Sequence, residues 1–235
     1  MNKKTDSDLI IPTHVGYIID GNRRWAKTHG LPTYEGHLAG YNALKDVAFA
    51  TLEAGVHYMS IYIFSTENWK RSQDEIKGLM SLVLKLFTSD AKVFHQNNVR
   101  LKVLGTREGL DDKILKAMDK LENDTKDNSA GTLAICLNYG GQIELVDAVK
   151  KIVQSGASVD EIDEDLISAN LYGADIPPVD LIVRTSGEKR LSNFMLWRSA
   201  YSEFIFLDKM WPEMTKDDVT AIIKEYSRRH RRFGG

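Results

Sequence analysis

The stretch His14-Val15-Gly16-Tyr17-Ile18-Ile19-Asp20-Gly21-Asn22-Arg23-Arg24-Trp25-Ala26-Lys27 decides the fold class. Val15–Ile19 is apolar at successive positions, as a strand covered on both faces must be. It stops at an acid, passes through Gly21-Asn22 and enters a helical pattern that opens with two arginines. A strand running straight into a helix is the first half of a crossover unit, so the chain is expected to build a mostly parallel sheet.

Five further short runs repeat the pattern: His57–Phe64, Val99–Leu104, Leu133–Leu137, Leu181–Val183 and Glu203–Leu207. Helical segments lie between them. In the first long one, Leu38, Tyr41, Leu44, Ala48 and Leu52 share one face, and Gly55 follows as a cap. Ser158-Val159-Asp160-Glu161 reads as a capping box, and Thr215 caps a last helix with Asp217 and Asp218 set against its dipole. Ile76–Phe94 is a helix apolar on more than one side, read as buried core, a dimer contact or the wall of an apolar channel. The expected fold is therefore α/β, a single domain with a central mostly parallel sheet surrounded by helices. Residues 1–11 read as a loose tail and 12–235 as the one folded domain.

In such sheets ligands bind beyond the carboxyl ends of the strands. Three segments place chemistry there. After the first strand, a helix N-terminus with Arg23 and Arg24 suits an anion, and Asp20 beside it suits a carboxylate holding Mg²⁺ against a phosphate. The same Asp20-Gly21-Asn22 also reads as a plain turn with an Asn cap. After the second strand, Ser65-Thr66-Glu67-Asn68-Trp69-Lys70-Arg71 mixes hydrogen-bonding groups with a large apolar face, as a pocket for a charged head on an apolar body requires. After the fifth, Arg184 and Arg190 flank a Thr-Ser-Gly loop followed by Ser192; two guanidinium forks suit a diphosphate, while surface arginines in weak ion pairs fit the same letters. The basic ending Arg228-Arg229-His230-Arg231-Arg232-Phe233-Gly234-Gly235 reads either as a loose polyanion-binding tail or as a specific phosphate or headgroup contact.

Exclusions narrow the field. The chain has 31 Lys+Arg against 33 Asp+Glu, a net charge of −2, which argues against a nucleic-acid partner. A single cysteine, Cys136, inside Leu133–Leu137, removes disulfide frameworks and cysteine-based zinc clusters and reads as a buried, inert thiol. The polar N-terminus lacks a signal-peptide core, and apolar stretches reach only five or six residues. The expectation is a cytoplasmic protein, at most peripheral at the inner face of the membrane. No P-loop, dinucleotide fingerprint or hydrolase elbow is present, and the acid clusters lack the D-D-x-x-D spacing of trans-prenyltransferases.

Together, His14–Lys27, Phe64–Trp69, Asn138-Tyr139-Gly140-Gly141, Asp180–Asn193 and Trp211-Pro212 resemble the cis-prenyltransferases, in family order from about Pro12 to Gly235. Undecaprenyl diphosphate synthases are the best-known members. The resemblance implies a Mg²⁺-dependent homodimeric transferase that condenses isopentenyl diphosphate with an allylic diphosphate such as farnesyl diphosphate, giving a cis-polyprenyl diphosphate of the lipid-carrier kind. By position, Asp20 corresponds to the Mg²⁺-linked catalytic aspartate, and Gly21, Asn22, Arg23, Arg24 and Trp25 to the primer-diphosphate loop, with His37 beside it. Ser65, Thr66, Glu67, Asn68, Trp69 and Arg71 correspond to the segment that positions the reacting ends, with Asn68 linked to proton removal. Arg184, Arg190, Leu191 and Ser192 correspond to the isopentenyl diphosphate site, Glu203 to a metal-linked glutamate, and Arg232-Phe233-Gly234 to an ending that reaches an active site.

The resemblance also favours the channel among the readings of Ile76–Phe94, because the growing hydrocarbon needs an apolar tunnel. It implies transient membrane contact through the lipid product. Two positions depart from the family pattern. Thr33 stands where many bacterial members carry an arginine, and Ile63 stands where long-chain members often carry a small residue, which allows a shorter product. A non-catalytic scaffold subunit would be expected to lose the Asp-Gly-Asn loop, and an enzyme using another acceptor would not need Arg184, Arg190 and Ser192.

Overall fold

The computed structural model describes residues 9–229. Six strands form one sheet: β1 (His14–Ile18), β2 (Tyr58–Ser65), β3 (Val99–Leu104), β4 (Gly131–Tyr139), β5 (Leu181–Arg184) and β6 (Glu203–Phe206). Their order is β3-β4-β2-β1-β5-β6, and every pairing is parallel. The expected strands are all present, with ends differing by a residue or two.

Four of the five crossovers are helical, with α1 (Asn22–Thr28) and α2 (Thr33–Glu53) after β1, α3 (Gln73–Lys85) and α4 (Ala91–Gln96) after β2, α5 (Asp112–Thr125) after β3, and α6 (Gly141–Ser155) with α7 (Glu164–Asn170) after β4, whereas β5 reaches β6 without a helix. The chain closes with α8 (Lys216–Arg228). Connections after β1 run to one side of that strand, whereas β5 and β6 add on the other, so the order switches at β1. A crevice opens beyond the strand ends at such a switch.

Alternation across the pleat divides the apolar residues between two cores. Val15, Tyr17, Met59, Ile61, Leu181 and Val183 face the core under α2, α3, α5 and α8. Ile18, Tyr62, Ala134, Cys136 and Ile182 face a second core with Phe194 and Met195. Cys136 is fully buried, and burial pushes its thiol well above the ordinary range, which keeps it inert as expected.

Three local expectations are refined. Gly55 sits just past α2, where its N–H donates to the Leu52 carbonyl. The Ser158–Glu161 box closes only a single 3₁₀ turn, because Asp163 caps α7 instead, its Oδ1 accepting from the Leu166 N–H at 2.7 Å. Thr215 does open α8, with Asp218 Oδ2 accepting from both its N–H and its hydroxyl.

Ile76–Phe94 is not one helix. A π-helical turn at Leu86–Asp90 separates α3 from α4. The extra residue in that turn rotates the apolar face, so Phe87 and Phe94 enter the core while Leu79, Leu82, Val83 and Leu86 line a cavity. Periodicity at 3.6 residues cannot show such a turn.

Candidate active site

A cavity of about 1280 Å³ lies beyond the carboxyl ends of β1, β2 and β5. Its mouth is polar, lined by Asp20, Arg23, Arg24, Arg71, Arg184, Glu188 and Arg190. Its depth is apolar, walled by Tyr41 and Leu44 of α2, Ile63 and Phe64 of β2, and Leu79, Leu82, Val83 and Leu86.

Asp20 stands two residues past β1. Its Oδ2 accepts from Arg184 Nη2 at 3.0 Å and lies 3.4 Å from Arg24 Nη2, while Oδ1 accepts from the Gly21 N–H at 2.8 Å. Partial burial pushes its pKa up, but the Arg184 hydrogen bond and charge, the Gly21 N–H and Arg24 outweigh this, so the net shift is downward and the group stays ionised. Gly21 has φ +106, and a Cβ there would come within 2.9 Å of both Ser186 Oγ and Met210 Cβ. Only glycine lets the loop after β1 fold so tightly onto the loop after β5.

The start of α1 is held against α2 by two further glycines. A Cβ on Gly36 would lie 2.1 Å from the Asn22 carbonyl oxygen, and one on Gly40 would lie 2.3 Å from Asn22 Oδ1. That oxygen is buried and has no hydrogen-bond partner among the described residues.

Glu75 organises the neighbouring wall. Its Oε1 accepts from His37 Nε2 at 3.0 Å and Arg71 Nη1 at 2.9 Å, and lies 4.0 Å from Arg23 Nε. Burial lowers the His37 pKa more than Glu75 raises it, so the ring is neutral near pH 7. On the other side, Arg184 is buried, with Nη1 donating to Ser192 Oγ at 2.7 Å and to the Arg190 carbonyl. Ser186, Ser192 and Asn193 all take left-handed backbone conformations, a local cost met at functional loops. Asn193 also donates to Glu67 Oε1 at 3.1 Å.

Thirteen of the residues expected at the site line this cavity: Asp20, Gly21, Asn22, Arg23, Arg24, His37, Ser65, Glu67, Asn68, Arg71, Arg184, Arg190 and Ser192. Asn68 Oδ1 accepts from the Ser65 N–H at 3.0 Å. Trp25, Thr66, Trp69 and Leu191 do not line it. Trp25 stacks on His29 with ring centres 4.2 Å apart, Trp69 donates its indole N–H to Asn138, and Leu191 packs against the second core.

Glu203 corrects the expectation most plainly. It begins β6, level with Leu181 and Val15, so it sits at the amino end of the sheet, roughly 16 Å along the strands from Asp20. Its carboxylate pairs there with Arg229 at 3.0 Å. In a parallel sheet an acid at a strand's start cannot meet one past a neighbouring strand's end. Arg232-Phe233-Gly234 lies outside the described residues.

Glu75, Glu188 and Asn193 were missed. Each acts by holding a recognised residue, and only the packing of separate segments reveals such a role. The double arginine pairing of Glu188 has no sequence signal.

No group of three or more His, Cys, Asp and Glu among the described residues could hold a metal by itself. Asp20 nevertheless fits Mg²⁺ in one respect: a single ionised carboxylate at an arginine-lined mouth suits an ion that takes most of its ligands from substrate phosphates and water. No helix among the described residues is long and apolar enough to cross a membrane.

Fold and site together define an α/β enzyme whose pocket joins an anion-binding mouth to a long apolar interior. A family model described as "Putative undecaprenyl diphosphate synthase" matches residues 18–234. An isoprenyl transferase of Thermotoga maritima is 46% identical over 228 residues, covering 96% of this chain and 97% of its own. A trans,polycis-polyprenyl diphosphate synthase, (2Z,6E)-farnesyl diphosphate specific, of Thermobifida fusca is 44% identical over 230 residues, with 96% and 82% covered. The crystal structure of lavandulyl diphosphate synthase from Lavandula x intermedia, in complex with dimethylallyl diphosphate, superposes with a TM-score of 0.92 at 31% identity, covering 96% and 99%. The chain belongs to the undecaprenyl diphosphate synthase family of cis-prenyltransferases, enzymes of prenyl chain elongation.

Proposed function

We propose that this enzyme condenses isopentenyl diphosphate with an allylic diphosphate primer, farnesyl diphosphate or a close analogue, and extends it to a cis-polyprenyl diphosphate of the undecaprenyl lipid-carrier kind. The observation that carries this is the two-part cavity, with five arginines at its mouth and the apolar walls of α2, β2 and α3 behind them. The names of the Thermobifida fusca and Lavandula x intermedia proteins support allylic diphosphates as primers.

Arg23 and Arg24 receive the primer diphosphate at the start of α1, and Arg184, Arg190 and Ser192 receive the isopentenyl diphosphate. The primer's C1–O bond breaks and its electron pair leaves with the diphosphate. The isopentenyl double bond supplies the electrons of the new C–C bond, and the isopentenyl unit gives up a proton on the Asn68 side of the cavity to an oxygen of the departing diphosphate. Fixed positive charge stabilises the departing diphosphate without rearranging, and the cavity holds the reacting carbons together. Asp20 would hold Mg²⁺ with the diphosphates, where the ion supplies charge neutralisation. Within one protomer Glu203 does not line this cavity.

Ile63 on the apolar wall supports a shorter product as the second reading. A homodimer belongs to the same proposal, supported by the edge position of β6 and its half-exposed Phe206. So does brief membrane contact, which follows from the apolar product.

The test is incubation of the purified protein with farnesyl diphosphate, labelled isopentenyl diphosphate and Mg²⁺, with a chelator arm and an Asp20→Ala arm. Labelled polyprenyl diphosphate should form only in the first. No product from the wild type sinks the proposal, and equal yield with chelator sinks its metal.

A further inference from the structure

Glu188 spans the two halves of the mouth. Its Oε1 lies 3.2 Å from Arg24 Nη1, and its Oε2 accepts from Arg190 Nη1. Arg24 continues to Asp20 at 3.4 Å, and Asp20 to Arg184 at 3.0 Å. Five charges thus alternate across the entrance, three positive and two negative. They run from Arg190 on the isopentenyl side through Arg24 on the primer side and back to Arg184, and Glu188 touches one arginine of each side.

The backbone under Glu188 is fixed, and its side chain is partly exposed. Ser186 and Gly187 both take left-handed conformations, and their N–H groups donate to the Lys209 and Leu207 carbonyls at 2.8 Å. The side chain is 30% exposed, which leaves room for its carboxylate to turn into water without moving the loop.

We infer that Glu188 is a counter-ion shared by the two diphosphate sites, which competes with bound diphosphate for Arg24 and Arg190 and so expels inorganic diphosphate after each transfer. This rests on the function proposed above. Each round leaves inorganic diphosphate on the primer side, while the lengthened chain carries its own diphosphate on the isopentenyl side. The next round requires the first to leave and the second to cross. Arginines alone would grip a multiply charged anion and hold it. A carboxylate carries one charge against several on a diphosphate, so an arriving substrate displaces it, yet it stays close enough to reclaim both guanidiniums. No bond is made or broken by Glu188.

The experiment compares the full-length wild type, E188Q and E188D. Calorimetric titration with inorganic diphosphate measures affinity, and turnover with labelled isopentenyl diphosphate measures inhibition by added diphosphate. Two partly exposed ion pairs compete in the wild type, so E188Q should bind diphosphate about three- to tenfold more tightly. It should be inhibited at correspondingly lower concentration, with multi-round turnover reduced more than the first transfer. E188D keeps the charge and should lie nearer the wild type. Unchanged or weaker diphosphate binding by E188Q overturns the inference, as does identical behaviour of E188Q and E188D. A wild type that neither binds diphosphate nor elongates would instead defeat the underlying function.

Discussion

Arg184 Nη2 donates to Asp20 Oδ2 at 3.0 Å, joining residues that leave adjacent strands at the point where the sheet order switches. The guanidinium is buried, and its Nε has no hydrogen-bond partner among the described residues. Removing Asp20 therefore leaves a buried charge short of its counter-ion. Asp20→Ala should lower stability by about 1–3 kcal/mol and activity by at least ~10²-fold. Urea unfolding and labelled-product assays check both; a variant with wild-type stability would show that Ser192 and the Arg190 carbonyl suffice for Arg184.

Gly40→Ala tests the packing of α2 against the primer loop. The new methyl would meet Asn22 Oδ1 at 2.3 Å, and Asn22 is confined by Gly36 from the same helix. The loop has to move outward, at a cost of about 1–3 kcal/mol. The Michaelis constant for the allylic primer should rise more than that for isopentenyl diphosphate. Equal changes in the two would mean that the displacement spreads through the whole mouth.

What the sequence disclosed about this site follows from locality. Asp20, Arg24, Asn68, Arg184 and Ser192 were readable because each stands at a strand end or at most eight residues past one, and strand ends are visible as apolar runs. The π turn at Leu86–Asp90 was not readable, since it adds one residue without changing the composition of the helix. Glu203 entered the site by resemblance alone: as the first residue of an expected parallel strand, it already stood at the end of the sheet away from the ligand crevice. Glu75 and Glu188 stayed hidden because their importance lies in partners that folding brings from other segments, His37 and Arg23 to Glu75 and Arg24 to Glu188.

Ile63 lines the apolar depth of the cavity. Ile63→Ala removes three carbons from that wall and adds space for the growing chain. Chromatography should show the product distribution moving to longer chains, while the rate of the first condensation changes little. A distribution that stays in place would assign length control to another part of the wall, with Tyr41 and Leu86 next in line.

His14 makes stability depend on pH. It is fully buried in β1, with Nδ1 2.9 Å from the Pro177 carbonyl and Nε2 2.8 Å from Ser60 Oγ. A carbonyl only accepts, so Nδ1 carries the proton and donates it, leaving Nε2 to accept from the Ser60 hydroxyl. That arrangement suits the neutral ring. Burial is the largest influence and lowers the pKa from 6.5 to about 4, against the opposing Pro177 hydrogen bond. The unfolded chain therefore binds this proton more readily than the folded one. Its contribution is complete above pH 6.5 and is lost as pH falls toward 4, amounting to roughly 2–4 kcal/mol. His14→Gln should flatten the stability curve between these limits while lowering stability at neutral pH. Denaturant titrations at pH 7, 5.5 and 4.5 decide the matter: equal slopes for wild type and variant would place the acid sensitivity elsewhere.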